Sequence, residues 1–194
     1  GSALAQMTDG AVREIAVNYS GELADLDTNP LTRYIVKGVL SHHLGREQVN
    51  VVNAMYLAKQ RDVNVVVQKS SASESFTNLI SLTLRTKKEE RWLAGTLLAG
   101  FGERIVRIGP YPVDIAPEGI VLLISHTDKP GIIGRVGTLL GNHDVNIATM
   151  QVGRTEYGGS AVMVLTIDKE APKTVLNELA ALPDIKRVRE IVLD

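Results

Sequence analysis

The chain has 194 residues, 44% of them hydrophobic and 22% charged, ordinary proportions for a chain with a buried core and enough length for one large domain or two modest ones. Its 21 basic and 22 acidic residues leave a net charge of −1, which excludes the strong basic excess of a general polyanion binder, and 4% aromatics are too few for a groove that stacks single-stranded nucleic acid. Zero cysteines exclude disulfides, thiolate nucleophiles, Cys-ligated zinc and iron–sulfur clusters within these residues.

No apolar run approaches the ~20 residues of a membrane helix, and no signal-peptide pattern stands at the first residues. The expectation is a cytoplasmic chain with no membrane partner. Gly1-Ser2 reads as a cleavage remnant, and Ala3 to Met7 as the tail of a helix, so a piece of a longer protein is expected.

Val12 to Tyr19 alternates like a strand. Thr28-Asn29-Pro30 opens a helix, with a capping residue type before a proline whose missing N–H costs nothing there. Leu31, Ile35, Val39 and Leu40 form its expected inner face, and Gly45 its stop. A second helix is expected over 50–61, with Val51, Ala54, Met55 and Ala58 inward. Val63 to Lys69 reads as a strand, Ser70 to Ser75 as a polar loop, and Leu79 to Thr86 as a strand with Ile80, Leu82 and Leu84 on one face. Three further strands are expected at Arg91 to Ala99, Arg104 to Ile108 and Val113 to Ala116. The densest Pro/Gly stretch runs from Pro110-Tyr111-Pro112 to Pro117-Glu118-Gly119 and sets the expected domains at 3–118 and 119–194.

The second half is more regular. A strand (Ile120 to His126) leads to a helix opened by Pro130-Gly131 and reaching Asn142, with Ile132, Val136, Leu139 and Leu140 as its core stripe. Strands follow at Val145 to Thr155 and Ser160 to Ile167, around a Tyr157-Gly158-Gly159 turn. A helix from Pro172 with Val175, Leu176, Leu179 and Leu182 inward precedes a last strand, Ile185 to Leu193. The order βαββαβ is the ferredoxin-like arrangement, two helices on one face of a four-stranded antiparallel sheet. The fold class is α+β in both halves.

The sharpest local signal is His126-Thr127-Asp128-Lys129-Pro130-Gly131, where the first strand of this half meets its first helix. Free N–H groups at a helix start favour an anion such as a carboxylate. Asp128 can accept hydrogen bonds from an ammonium, His126 lies two residues away on the same side of an extended strand, and Asn146 offers both a donor and an acceptor. The set suits a zwitterion. The same residues are also consistent with Asp128 as a helix cap and His126 as a polar strand end. Gly134, Gly137 and Gly141 recur on one face of the helix, nearly opposite its core stripe. Each costs ~1 kcal/mol against alanine in a helix interior, so either a close neighbour is expected there or the face is merely weak.

Other signals are slight. Gly100-Phe101-Gly102 lacks the last glycine and the βαβ setting of a dinucleotide fingerprint. Adjacent His42 and His43 should diverge on a helix, and no metal site is expected. Arg104 and Arg107, near a glycine-rich turn, could hold an anion or be solvated charges. Ala161 to Leu165 carries none of the aromatics that an RNA-binding version of this topology needs, so no nucleic-acid partner is expected.

His126 to Gly131, followed by Gly134, Leu139-Leu140 and Val145-Asn146-Ile147, resembles the opening of an ACT domain, a βαββαβ module that binds amino acids and regulates metabolic enzymes. In the first half, Leu4 to Gly10, Val49 to Lys59 and Arg91 to Thr96 resemble the intervening, or allosteric substrate-binding, domain of long-form phosphoglycerate dehydrogenases. The resemblance implies a parent that oxidises 3-phosphoglycerate with NAD on the way to serine. It further implies that the catalytic and nucleotide-binding domains lie outside this chain, which needs no cofactor, has no catalytic residue and turns over nothing by itself.

The resemblance also implies that L-serine is held between two ACT modules, by the strand-end loop of one and an asparagine of the other. The matching positions are His126, Asp128, Pro130, Gly131, Asn146 and Ile147; Asp128 stands where some members have Asn. Of the basic residues that hold an anion in the intervening domain of some members, only Arg104 has a counterpart; Ala116 and Thr166 stand at the others. A homodimer or larger homo-oligomer is expected through the edge strand Val145 to Thr155 and the glycine-faced helix. Two competing readings are a ligand-free ACT-type assembly module and a serine-processing catalytic subunit; the latter lacks cysteines for an iron–sulfur cluster.

Overall fold

Ile15, Val17 and Tyr19 alternate with less buried residues and form the inner face of strand β1 (Val12–Gly21). The computed structural model describes residues 1–72 and 75–193. The expected loop at Ser70 to Ser75 therefore falls partly outside the described residues. Two units separate after Gly109, one over Gly1–Gly109 and the other from Pro110 onward. The Pro/Gly stretch that set the expected boundary at 118/119 thus goes with the second unit.

In the first unit, α1 (Ser2–Met7) precedes β1, and a 3₁₀ turn (Glu22–Asp25) follows it. The chain then crosses through α2 (Asn29–Leu44) and α3 (Ala54–Gln60) to β2 (Asn64–Ser70), which lies parallel to β1. On the other side of β1 run β3 (Asn78–Thr86), β4 (Glu90–Leu98) and β5 (Gly102–Ile108), each antiparallel to the one before. The order is β2-β1-β3-β4-β5. Leu4, Val36, Val39 and Ala58 of the helices are buried, as are Ile15, Tyr19, Leu82 and Leu84 of the strands.

Two expectations are corrected here. α2 buries Thr32, Val36, Val39 and Leu40, whereas Leu31 is 38% exposed and Ile35 half-buried. The face is turned because the wholly buried Tyr19 needs a partner for its hydroxyl: its Oη lies 2.9 Å from Thr32 Oγ1, which donates to the Thr28 carbonyl at 3.0 Å. α3 begins only at Ala54, because Asn50 and Asn53 bond local backbone instead of joining a helix. Asn50 Oδ1 accepts the N–H groups of Val52 and Asn53, each at 2.9 Å, and Asn53 Oδ1 accepts that of Asn50 at 2.8 Å.

The second unit contains β6 (Tyr111–Ile115), β7 (Gly119–Thr127), α4 (Ile132–Asn142), β8 (Ile147–Arg154), β9 (Ser160–Ile167), α5 (Lys173–Ala181) and β10 (Ile185–Leu193). Its four-stranded antiparallel sheet has the order β10-β7-β9-β8, the ferredoxin-like arrangement, with β8 at one edge. Leu122, Ile124, Met163 and Leu165 of the central strands pack against Val136, Leu140, Val175 and Leu179 of the two helices. Across the other face of β8 lies β6. A Cβ on Gly153 would come within 2.7 Å of the Pro112 carbonyl oxygen, so only glycine permits that approach without a shift.

Candidate functional site

The strand register decides which expected site residues meet. His126 of β7 pairs with Ala161 of β9, which pairs with Arg154 of β8. At the opposite end, Ile120 pairs with Ile167 and Ile167 with Ile147. Within one chain, His126 and Ile147 are therefore separated by six residues of strand, about 20 Å.

At the His126 end, β7 runs into α4 through 128–131. Gly131 takes the left-handed conformation (φ 85°) at the N-cap, and no side chain caps α4 among the described residues. Asp128 does not cap the helix. Its N–H donates to the Gly159 carbonyl at 2.8 Å, and its Oδ2 accepts Arg154 Nη1 at 3.0 Å and the Gly158 N–H at 3.4 Å. The Arg154 guanidinium, opposed by partial desolvation and aided by the Gly158 N–H, holds the Asp128 carboxyl below its usual range. The guanidinium also sits 5.9 Å from the centroid of the Tyr157 ring, which is 86% exposed.

These groups line an open cleft of about 340 Å³, bounded by Asp128, Lys129, Pro130 and Gly131 on one side and Arg154 and Tyr157 on the other, with Ile132 and Ile133. Lys129 Nζ donates to Asp184 Oδ1 at 2.6 Å, which fastens the loop to the turn before β10. His126 is not among the lining residues. It lies on the helix-facing side of β7, wholly buried, with Nδ1 3.0 Å from the Thr127 carbonyl oxygen and Nε2 without a hydrogen-bond partner among the described residues. Strand alternation puts its side chain in line with the core residues Leu122 and Ile124.

Asn146 and Ile147 stand at the other end of the sheet. Asn146 is exposed and donates to Asp168 Oδ2 at 2.7 Å; Ile147 is half-buried. Among the described residues, a Cβ added at Gly134, Gly137 or Gly141 would meet nothing within 4 Å. In the first unit, a bulge in the β4–β5 pairing leaves Arg104 opposite Thr96 and Arg107 opposite Ala94, so the two arginines share a face. Arg104 Nη1 donates to the neighbouring Glu103 carbonyl at 3.1 Å. Thr166 accepts the Thr149 hydroxyl at 2.9 Å. His42 and His43 meet edge to face with centroids 5.1 Å apart instead of diverging. Among the described residues no group of three or more His, Asp and Glu is placed to hold a metal, and no helix is long and apolar enough to cross a membrane.

Arg154 and Tyr157 are the residues the linear reading missed. The signal was present in the Tyr157-Gly158-Gly159 turn, which sets Arg154 opposite Ala161, and Ala161 pairs with His126, so the last residue of the edge strand ends level with the loop before α4.

Residues 1–109 match the D-3-phosphoglycerate dehydrogenase intervening domain, and residues 120–184 match the ACT domain. The chain belongs to the D-3-phosphoglycerate dehydrogenase intervening-domain family. It is 38% identical over 193 residues to the D-3-phosphoglycerate dehydrogenase of Bacillus subtilis and 39% identical over 193 residues to that of Methanocaldococcus jannaschii. Each match takes in 100% of this chain but only 37% and 36% of the relative, so the chain spans about a third of the length of the curated relatives it matches. A solved ACT domain from the GTP pyrophosphokinase of Chlorobium tepidum aligns with 38% of this chain and 99% of its own, at 18% identity and a TM-score of 0.32. The cleft at the start of α4 falls within the residues that match the ACT domain.

Proposed function

We propose that this chain is the regulatory part of an NAD-dependent D-3-phosphoglycerate dehydrogenase of L-serine biosynthesis, and that its ACT domain binds L-serine between two copies. The NAD site and the oxidation of 3-phosphoglycerate are assigned to the remainder of the enzyme, and a cytoplasmic location goes with that assignment. The observation that carries the reading is the layout of edge strand β8, with Asn146 just before its first residue and Arg154, bonded to Asp128, at its last. If a two-fold axis passes through the middle of β8 and pairs it antiparallel with a second copy, Ile147 of one copy falls opposite Arg154 of the other. The second copy's Asn146 then stands beside the Asp128 loop.

The chemistry of that junction fits an amino acid. Asp128 accepts the ammonium, the second copy's Asn146 supplies a donor and an acceptor, and the uncapped N–H groups at the start of α4 favour the carboxylate. Bound serine stabilises whichever arrangement of the two modules it fits better, and only by the difference in its affinity for them. A coupling of ~1–3 kcal/mol is typical of such control.

Two observations favour an assembly module without a ligand: Asp128 already has an ion-pair partner, and His126 is sealed in the core. Calorimetric titration with L-serine separates the two readings. The regulatory reading expects heat of binding that disappears in Asn146→Ala; no binding up to millimolar serine would leave assembly as the function.

A further inference from the structure

We infer that Arg154 is the side chain that pairs with the effector's α-carboxylate, beside the N–H groups at the start of α4, and thereby restricts the site to ligands carrying both charges. This inference rests on the amino-acid-binding reading above. A carboxylate at position 128 repels the ligand carboxylate, so the loop that attracts the ammonium needs a cation nearby for the other pole. Two basic side chains line the cleft. Lys129 is drawn to Asp184, with Nζ 2.6 Å from Oδ1. Arg154 is about as exposed as Lys129, and among the described residues it also makes one hydrogen bond, from Nη1 to Asp128 Oδ2, but Asp128 lines the cleft whereas Asp184 does not.

The Asp128–Arg154 ion pair is only half used. Among the described residues, Asp128 Oδ1 and Arg154 Nε and Nη2 have no hydrogen-bond partner. The pair therefore presents one acceptor and two donors beside each other at the cleft. A zwitterion laid against it in the opposite sense puts its ammonium on Oδ1 and its carboxylate on the guanidinium edge. Four charges then alternate in sign, and the Asp128–Arg154 bond need not break. The planar guanidinium suits this role better than a lysine, because it can meet both carboxylate oxygens at once.

A cycle of two ligands and two proteins tests the inference. L-Serine and ethanolamine share the ammonium and the hydroxyl, and ethanolamine lacks the carboxylate. With the wild-type chain at neutral pH, L-serine should bind ~10- to 100-fold more tightly than ethanolamine, the span of a charge-assisted contact. In Arg154→Ala this preference should collapse, while Arg154→Lys retains part of it; circular dichroism checks that each variant is folded. A preference that persists undiminished in Arg154→Ala overturns the role of Arg154 and leaves the amino-acid site standing. Failure of the wild-type chain to bind L-serine overturns both. A loss of fold would weaken both ligands alike, so only a ligand-dependent loss supports the inference.

Discussion

Asp128 and Arg154 lie 26 residues apart in the chain, yet their side chains meet at 3.0 Å beside the start of α4. The pairing of β7, β9 and β8 makes this contact. It fixes the Asp128 loop to the end of the edge strand, so a change at β8 is felt at the mouth of the cleft.

The contact has a definite pH signature. Asp128 is held below its usual range chiefly by Arg154, and Asp184 below its own chiefly by Lys129. A carboxyl whose folded pKa lies below its unfolded value of about 3.9 stabilises the fold above that value and ceases to do so as pH falls through the folded pKa. The thermal midpoint of Asp128→Asn should therefore lie below wild type near neutral pH, and the gap should close below about pH 4. A gap that persists unchanged into acid would show that the carboxylate's charge is not what the fold uses. High salt should also narrow the gap, since both partners touch solvent.

The Tyr19–Thr32 bond is buried. Tyr19→Phe removes the hydroxyl and leaves Thr32 bonded to the Thr28 carbonyl, so no orphan group remains. The expected cost is about 1 kcal/mol in urea unfolding of the first unit, the net worth of one such bond. Thr32→Val strands the buried phenol and should cost more. Equal losses would mean that Tyr19 keeps a partner without Thr32.

Two glycines should respond in opposite ways. Gly153→Ala pushes a methyl against Pro112 and Tyr111, and overpacking of this kind costs ~1–3 kcal/mol. Gly134→Ala meets nothing within 4 Å among the described residues and should stabilise α4 by up to about 1 kcal/mol in an isolated copy. If a second copy packs on the glycine face, the added methyl should weaken self-association measured by sedimentation equilibrium. Unchanged association would remove that face from the interface.

The legibility of the chain follows from the range of each interaction. Helix starts at Pro30 and Pro172, the βαββαβ order and the Leu122–Ile124 core strand rest on local pattern, and all stand in the structure. The inner face of α2 was misjudged because apolar spacing favoured Leu31 and Ile35, whereas the hydroxyl of Tyr19, on a different element, drew Thr32 inward. The site was half legible. The loop at 126–131 stood out by composition, but Asp128 looked like a cap or a free acceptor because its partner lies beyond a helix and on another strand. His126 alternates correctly with its neighbours, and that alternation buries it; two-residue spacing places His126 and Asp128 on one side without placing both in one cleft.

In the proposed site, Asp128 comes from one copy and Asn146 from another. Mixing two defective chains tests it most directly. Asp128→Ala and Asn146→Ala should each fail to bind L-serine as homodimers. After unfolding and refolding together, heterodimers should bind one serine each, because one of their two junctions pairs an intact Asp128 with an intact Asn146. A mixture that binds none, although both variants fold and form heterodimers, would contradict a shared site; so would full binding by either variant alone.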